Sequence, residues 1–215
     1  MYDVITISRE FGSAGRTIGR MVAEKLGIPF YDEEIISKIA ERTGFAHDYV
    51  DKYDEDVVST SWFVNAMVAR DMSGRSMQDK IWIAQCEVIK ELANNGPCVI
   101  VGRCANYVLK DTKRCLSVFV HAPIKFRLHR IVEVYGERNG DPMKRVIDKD
   151  KTRRLYYETY TGLEWGNAKN YNIALNSSEL GIDKCVDIIC SACQSPITKV
   201  TGLDNQAYHC GDYID

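Results

Sequence analysis

The run V-I-T-I-S-R-E-F-G-S-A-G-R-T-I-G-R, residues 4–20, sets the architecture of this chain. Val4-Ile5-Thr6-Ile7 is a short, mostly β-branched run, the composition of a strand. It breaks into a Gly/Ser loop, and an amphipathic pattern starts at Thr17. Strand, glycine loop and helix in that order form a phosphate cradle, because loop N–H groups and the positive helix end point at one spot. Gly12 and Gly15 permit positive φ and close backbone approach to an anion. The general phosphate-loop pattern is G-x-x-x-x-G-K-[ST]. Here Gly15-Arg16-Thr17 stands where G-K-[ST] is expected, and Glu10 stands at the first glycine. Length and place fit, with Arg in the Lys position.

Working outward, strand and helix patterns alternate. Strands are expected over 3–8, 28–31, 97–101, 116–121 and 171–175, several of them continuous apolar runs typical of strands covered on both faces. Helices are expected over 17–26, 33–43, 76–94, 124–135, 141–161 and 181–192, with Asp141-Pro142 a strong helix start. This alternation predicts a parallel sheet with right-handed crossovers, which binds ligands beyond the carboxyl ends of its strands. Residues 1–194 read as a single domain. Within it, 45–76 is a helical insertion with an acidic, solvated face (Asp48, Asp51, Asp54, Glu55, Asp56), and about 138–162 is a lid region. The polar tail 195–215 reads as irregular.

Bulk properties narrow the function classes. The chain has 215 residues and a net charge of −2, so no global basic field argues for nucleic acid. No apolar run reaches the ~18 residues of a membrane helix, and no signal-peptide pattern opens the chain, so the expectation is no membrane and a cytoplasmic location. The eight cysteines sit mostly within apolar segments and read as reduced core thiols. Cys190-x-x-Cys193 with His209-Cys210 fits no common zinc spacing, and Asn176-Ser177-Ser178 reads as a chance glycosylation sequon.

Four constellations carry chemistry. Gly12, Ser13, Ala14, Gly15, Arg16 and Thr17 form the loop, with Arg16 as its fixed charge and the Thr17 hydroxyl placed to ligate Mg²⁺. The bland alternative is a glycine turn with two exposed arginines. Asp32 ends the second strand, suited either to a ribose or base or to capping the next helix. Arg103 follows Gly102 at the third strand's end, a clamp for a second anionic substrate or a surface arginine after a turn. Arg145, Lys149 and Arg153 recur every four residues on one helix face, and Asp150 can pair with Arg153 or Arg154. They read as a lid closing over phosphates, or as a salt-bridged solvated helix. Tyr156, Tyr157, Tyr160 and Trp165 read as packing.

Together, I-T-I-S-R-E-F-G-S-A-G-R, P-F-Y-D, V-I-V-G-R, the D-x-x-R helix with Tyr-Tyr, and W-G-N-A-K-N-Y-N-I-A-L-N-S-S-E-L-G-I resemble the cytidylate kinase-like family over residues 2–189. This is a divergent branch of the P-loop nucleoside monophosphate kinases. The resemblance implies a doubly wound sheet of five parallel strands, with an acceptor-binding helical insertion and a lid. It implies transfer of the ATP γ-phosphoryl to CMP or dCMP with Mg²⁺. Carried over, residues Gly12 to Thr17 would bind ATP phosphates, Asp32 would face the acceptor nucleotide, Arg103 would bind its phosphate, and Arg153 would act from the lid. Three positions depart from the family pattern: Arg16 for Lys, Cys104 for the Asp of Gly-Arg-Asp, and Glu10. Two other functions follow from those departures: an anion- or nucleotide-sensing protein without turnover, and a kinase for a non-nucleotide metabolite. The partners expected are ATP and a small phosphorylated acceptor, with a homo-oligomer left open.

Overall fold

A computed structural model describes residues 2–32, 34–44, 77–111, 114–136 and 140–195. The expected acidic insertion 45–76 lies outside the described residues, as do the tail beyond Ser195 and the His209-Cys210 pair.

β1 (Val4–Arg9) leads through the loop into α1 (Gly15–Leu26), followed by β2 (Phe30–Tyr31), α2 (Glu34–Thr43) and α3 (Met77–Asn94). β3 (Cys98–Val101), the one-turn α4 (Ala105–Val108), β4 (Cys115–His121), α5 (Ile124–Tyr135) and α6 (Pro142–Thr161) come next. A 3-10 turn (Ala168–Asn170), β5 (Ile173–Asn176), the one-turn α7 (Ser177–Leu180) and α8 (Ile182–Gln194) complete the order. The five strands form one parallel sheet in the order β2-β3-β1-β4-β5. The expected strands and long helices are all present. α4, α7 and the 3-10 turn are additions that sequence periodicity cannot reveal, because each is one turn long.

β1 lies centrally, with Val4 paired to both Cys98 and Cys115, and Val4 to Ser8 are all buried without alternation. On one face Ile5, Ile7, Val99 and Val118 pack against Ile18 and Val22 of α1 and Ile189 of α8. On the other, Val4 and Ile100 pack against Ile35 and Ile39 of α2 and Ile89 of α3. Burying each such aliphatic side chain contributes roughly 1.5–3 kcal/mol. Farther along that second face, Phe119 joins Tyr156, Tyr157, Trp165 and Tyr171 in an aromatic cluster. α1 approaches the sheet closely at Gly19, where a Cβ would meet Val101 Cγ2 at 3.0 Å and Ile7 Cδ1 at 3.1 Å. α6 starts as expected, with Pro142 in its first turn and the Asp141 carboxylate accepting from the Met143 N–H at 2.9 Å.

Candidate active site

The loop between β1 and α1 is built against its neighbours from inside. Ser13 is fully buried, and its hydroxyl donates to the carbonyls of Glu10 and Val120, both at 2.9 Å. The Ser13 carbonyl in turn accepts from Ser177 Oγ at 2.7 Å, so the turn after β5 clasps the loop. Gly12 has φ +81°, and a Cβ there would lie 2.8 Å from the Arg127 carbonyl. At Gly15 a Cβ would lie 2.5 Å from Arg9 Cβ. Ala14 takes φ +66° at the N-cap of α1, and no side chain caps the helix there. A left-handed residue followed by an uncapped helix start is the backbone shape that receives an anion.

The side chains around this cradle are paired differently from the simplest expectation. Arg16 reaches Asp32 at the end of β2, with Nε 2.6 Å from Oδ2. The Thr17 hydroxyl accepts from Arg130 of α5 at 2.9 Å. Glu10 turns to α5, where Oε2 accepts from the Ala122 N–H at 3.0 Å and lies 3.4 Å from Arg127 Nε. The fold supplies Arg127 of α5 as its cationic partner. Asp150 pairs with Arg127 of α5 and accepts the Phe11 N–H at 2.7 Å. Arg153 and Arg154 are three and four residues away on the same helix, but α5 and the loop sit directly opposite Asp150.

The cationic row of α6 does lie on one face. Arg145, Lys149 and Arg153 surround the Phe11 ring at 5.5, 5.4 and 5.6 Å from its centroid. Arg153 is buried and donates to the Arg9 carbonyl at 3.3 Å. A narrow cavity of about 10 Å³, the space of about one water, opens beside it. Ser8 and Arg9 of β1, Gly102 and Cys104 after β3, and Arg153 and Tyr156 of α6 line it.

Arg103 is buried rather than a surface residue. It lies in a run of three left-handed residues, with φ +76° at Gly102, +59° at Arg103 and +55° at Cys104. Gln85 of α3 donates to the Arg103 carbonyl at 2.9 Å and accepts from the Tyr156 hydroxyl, also at 2.9 Å. The tyrosines pack, as their helical spacing implied: Trp82 and Tyr160 stack at 4.5 Å, and Tyr157 accepts from Asn106 at 3.0 Å. Burial pushes the Tyr156 phenol well above its ordinary range.

Arg127, Arg130 and Gln85 were not singled out from sequence. Arg127 and Arg130 fall three residues apart in P-I-K-F-R-L-H-R, spacing that puts both on one helix face. Gln85 occupies a core position of α3, four residues after the buried Ile81 and four before the buried Ile89. A glutamine in that register is a signal of a buried hydrogen-bond network.

The model of the cytidylate kinase-like family matches residues 4–179. The chain belongs to that family. Cytidylate kinase of Archaeoglobus fulgidus is 25% identical over 203 residues, covering 91% of this chain and 97% of the relative. Cytidylate kinase of Methanosarcina barkeri is 25% identical over 186 residues, covering 86% and 93%. Among solved structures, an uncharacterized protein from Eubacterium ventriosum superposes with a TM-score of 0.68 at 25% identity, over 90% of this chain and 99% of that one. Shikimate kinase of Bacteroides thetaiotaomicron, at 16% identity and a TM-score of 0.52 over 89% and 98%, shares the fold. For this member of the cytidylate kinase-like family, the sheet order and loop position are those of a P-loop kinase-type phosphotransferase. No helix among the described residues is long and apolar enough to cross a membrane.

Proposed function

We propose that this chain transfers the γ-phosphoryl group of ATP to a small phosphorylated acceptor, with CMP or dCMP the first candidates because the relatives it resembles are named cytidylate kinases. The observation that carries the reading is the convergence at the cavity described above. There the last residues of β1 (Ser8 and Arg9), Gly102 and Cys104 of the turn after β3, and Arg153 of α6 meet at the carboxyl ends of β1 and β3. Donor phosphates would sit at the uncapped start of α1, where Gly12 and Gly15 let the loop pack directly against Arg127 and Arg9. Arg103 would take the acceptor phosphate, Asp32 would face the acceptor nucleoside, and Arg153 would bridge the two phosphates as α6 closes as a lid. Thr17 is the residue of this chain that would hold Mg²⁺. When bound, the ion supplies charge neutralisation between two phosphates. The protein's own part is positioning and charge: the loop amides and arginines orient the reacting phosphates and exclude water, with no general base required.

A second reading, a nucleotide-binding protein without turnover, is favoured by the Arg16–Asp32 ion pair. That pair commits the Lys-position cation toward β2. The test is coupled ADP release from ATP–Mg²⁺ with CMP, dCMP, UMP, AMP and GMP, for the unchanged chain and Arg16→Ala. Turnover with CMP or dCMP, abolished by Arg16→Ala, is expected. ATP binding without turnover on any of the five would favour the second reading.

A further inference from the structure

Three successive left-handed residues are costly when two of them carry side chains. Outside glycine the Cβ crowds the backbone in that conformation. The Gly102-Arg103-Cys104 turn therefore persists only if its surroundings hold it. Two holds are backbone bonds: the Gly102 N–H donates to the Ile7 carbonyl of β1 at 2.9 Å, and the Ala105 N–H donates to the Gly102 carbonyl at 3.1 Å. The third is the side chain of Gln85, which takes the Arg103 carbonyl itself.

Gln85 is 1% exposed, so an amide with either end unmatched would be costly there. Its oxygen is matched by Tyr156, which sits one helical turn beyond Arg153 on α6. Burial and the neighbouring Cys104 keep that phenol protonated, so it remains a donor across ordinary working pH. One chain of hydrogen bonds thus runs from α6, through α3, to the strained turn that carries Arg103.

We propose that Gln85 is a positioning residue: it holds the Arg103 turn in register with α6, so that Arg103 and Arg153 face the same acceptor phosphate. This rests on the reading of Arg103 as the acceptor-phosphate residue. No motif of the chain contains Gln85, and it lines no part of the cavity. Its effect is transmitted through Arg103.

The experiment is calorimetric titration of the full chain with CMP, and with inorganic phosphate as a second probe, alongside ADP release in the same samples. Gln85→Met keeps the volume and removes both hydrogen bonds. It should weaken CMP and phosphate binding about tenfold and leave the KM for ATP unchanged. Tyr156→Phe removes the outer bond only and should weaken both about threefold. Arg103→Met should weaken both about a hundredfold. The deciding variant is Gln85→Met with Arg103→Met, which should bind no more weakly than Arg103→Met alone. Further loss in that double variant, or a lowered Tm with unchanged acceptor binding in Gln85→Met, would overturn the proposal by making Gln85 a packing residue. Binding that follows this pattern without turnover would retain the role of Gln85 and remove the kinase reading. Turnover unaffected by Gln85→Met would do the reverse, and an unchanged chain that binds neither probe overturns both.

Discussion

Two stretches of α6 are tied down by opposite chemistry. At its middle, Asp150 enters a charged lattice with Arg127, Glu10 and the Phe11 amide, joining α6 to α5 and the phosphate loop. Two turns later, Tyr156 and Tyr157 enter a neutral lattice with Gln85 and Asn106, joining the same helix to α3 and α4. The Glu10 and Asp150 carboxylates around the buried Arg127 keep part of their surface open to solvent, whereas Tyr156 and Gln85 are buried. The difference is instructive. A loop that receives phosphates can keep ions near its surface, because the cost of desolvating them is incomplete there. A strained turn inside the protein needs partners that cost little to bury, and neutral hydrogen bonds meet that need.

Breaking the charged stretch should have the largest effect. Arg127→Met leaves Asp150 and Glu10 facing each other's space without their shared cation, and should destabilise the fold by about 3 kcal/mol in urea denaturation. A loss under about 0.5 kcal/mol would show that the lattice is a solvated surface pair, and the contrast would fail. Asp32→Asn comes next, since the Arg16–Asp32 pair connects the start of α1 directly to the end of β2. Acceptor KM should rise about tenfold while ATP KM moves less than threefold, in line with the loss of one charge-assisted hydrogen bond. Equal changes in both constants would place Asp32 with the donor instead.

The smallest effect is the pH response that separates the two stretches. Burial raises the phenols of Tyr156, Tyr157, Tyr160 and Tyr171 above their ordinary value of 10.0. The unfolded chain then loses those protons first as pH rises, so it binds fewer protons than the folded chain and stability falls. This contribution is fully present below pH 10 and is lost above it. Arginine stays protonated throughout that window, so the charged stretch should be unaffected. Unfolding followed at pH 8 and pH 11 should show a drop that Tyr160→Phe reduces. An identical drop in that variant would move the alkaline sensitivity elsewhere, with the buried thiol of Cys98 and the half-buried thiol of Cys115, pushed up to about 12 and about 11, the next groups to test.

Much of this was legible in the residues. β1 could be read because a central parallel strand is apolar on both faces, and α1 because Ile18, Val22 and Ala23 recur at helical spacing and are buried together. The row Arg145, Lys149, Arg153 could be read because helical periodicity alone puts side chains four apart on one face. Pairings across elements were not legible in this way. Asp150 has two arginines within one helical turn, yet it bonds a backbone amide 139 residues away and an arginine on α5.

Local order in the chain by itself determined the strand–loop–helix cradle, the alternation of strands and helices, the cap of α6 and the single cationic face of that helix. Each is set by backbone stereochemistry and by side-chain periods of two or 3.6 residues, which act over a few neighbours. Tertiary structure decided that Glu10 and Asp150 would share Arg127, that Arg16 would meet Asp32, and that a glutamine on α3 would hold the Arg103 turn. Those choices depend on which elements the sheet order brings side by side, and a charge or amide in a folded chain bonds the partner nearest in space.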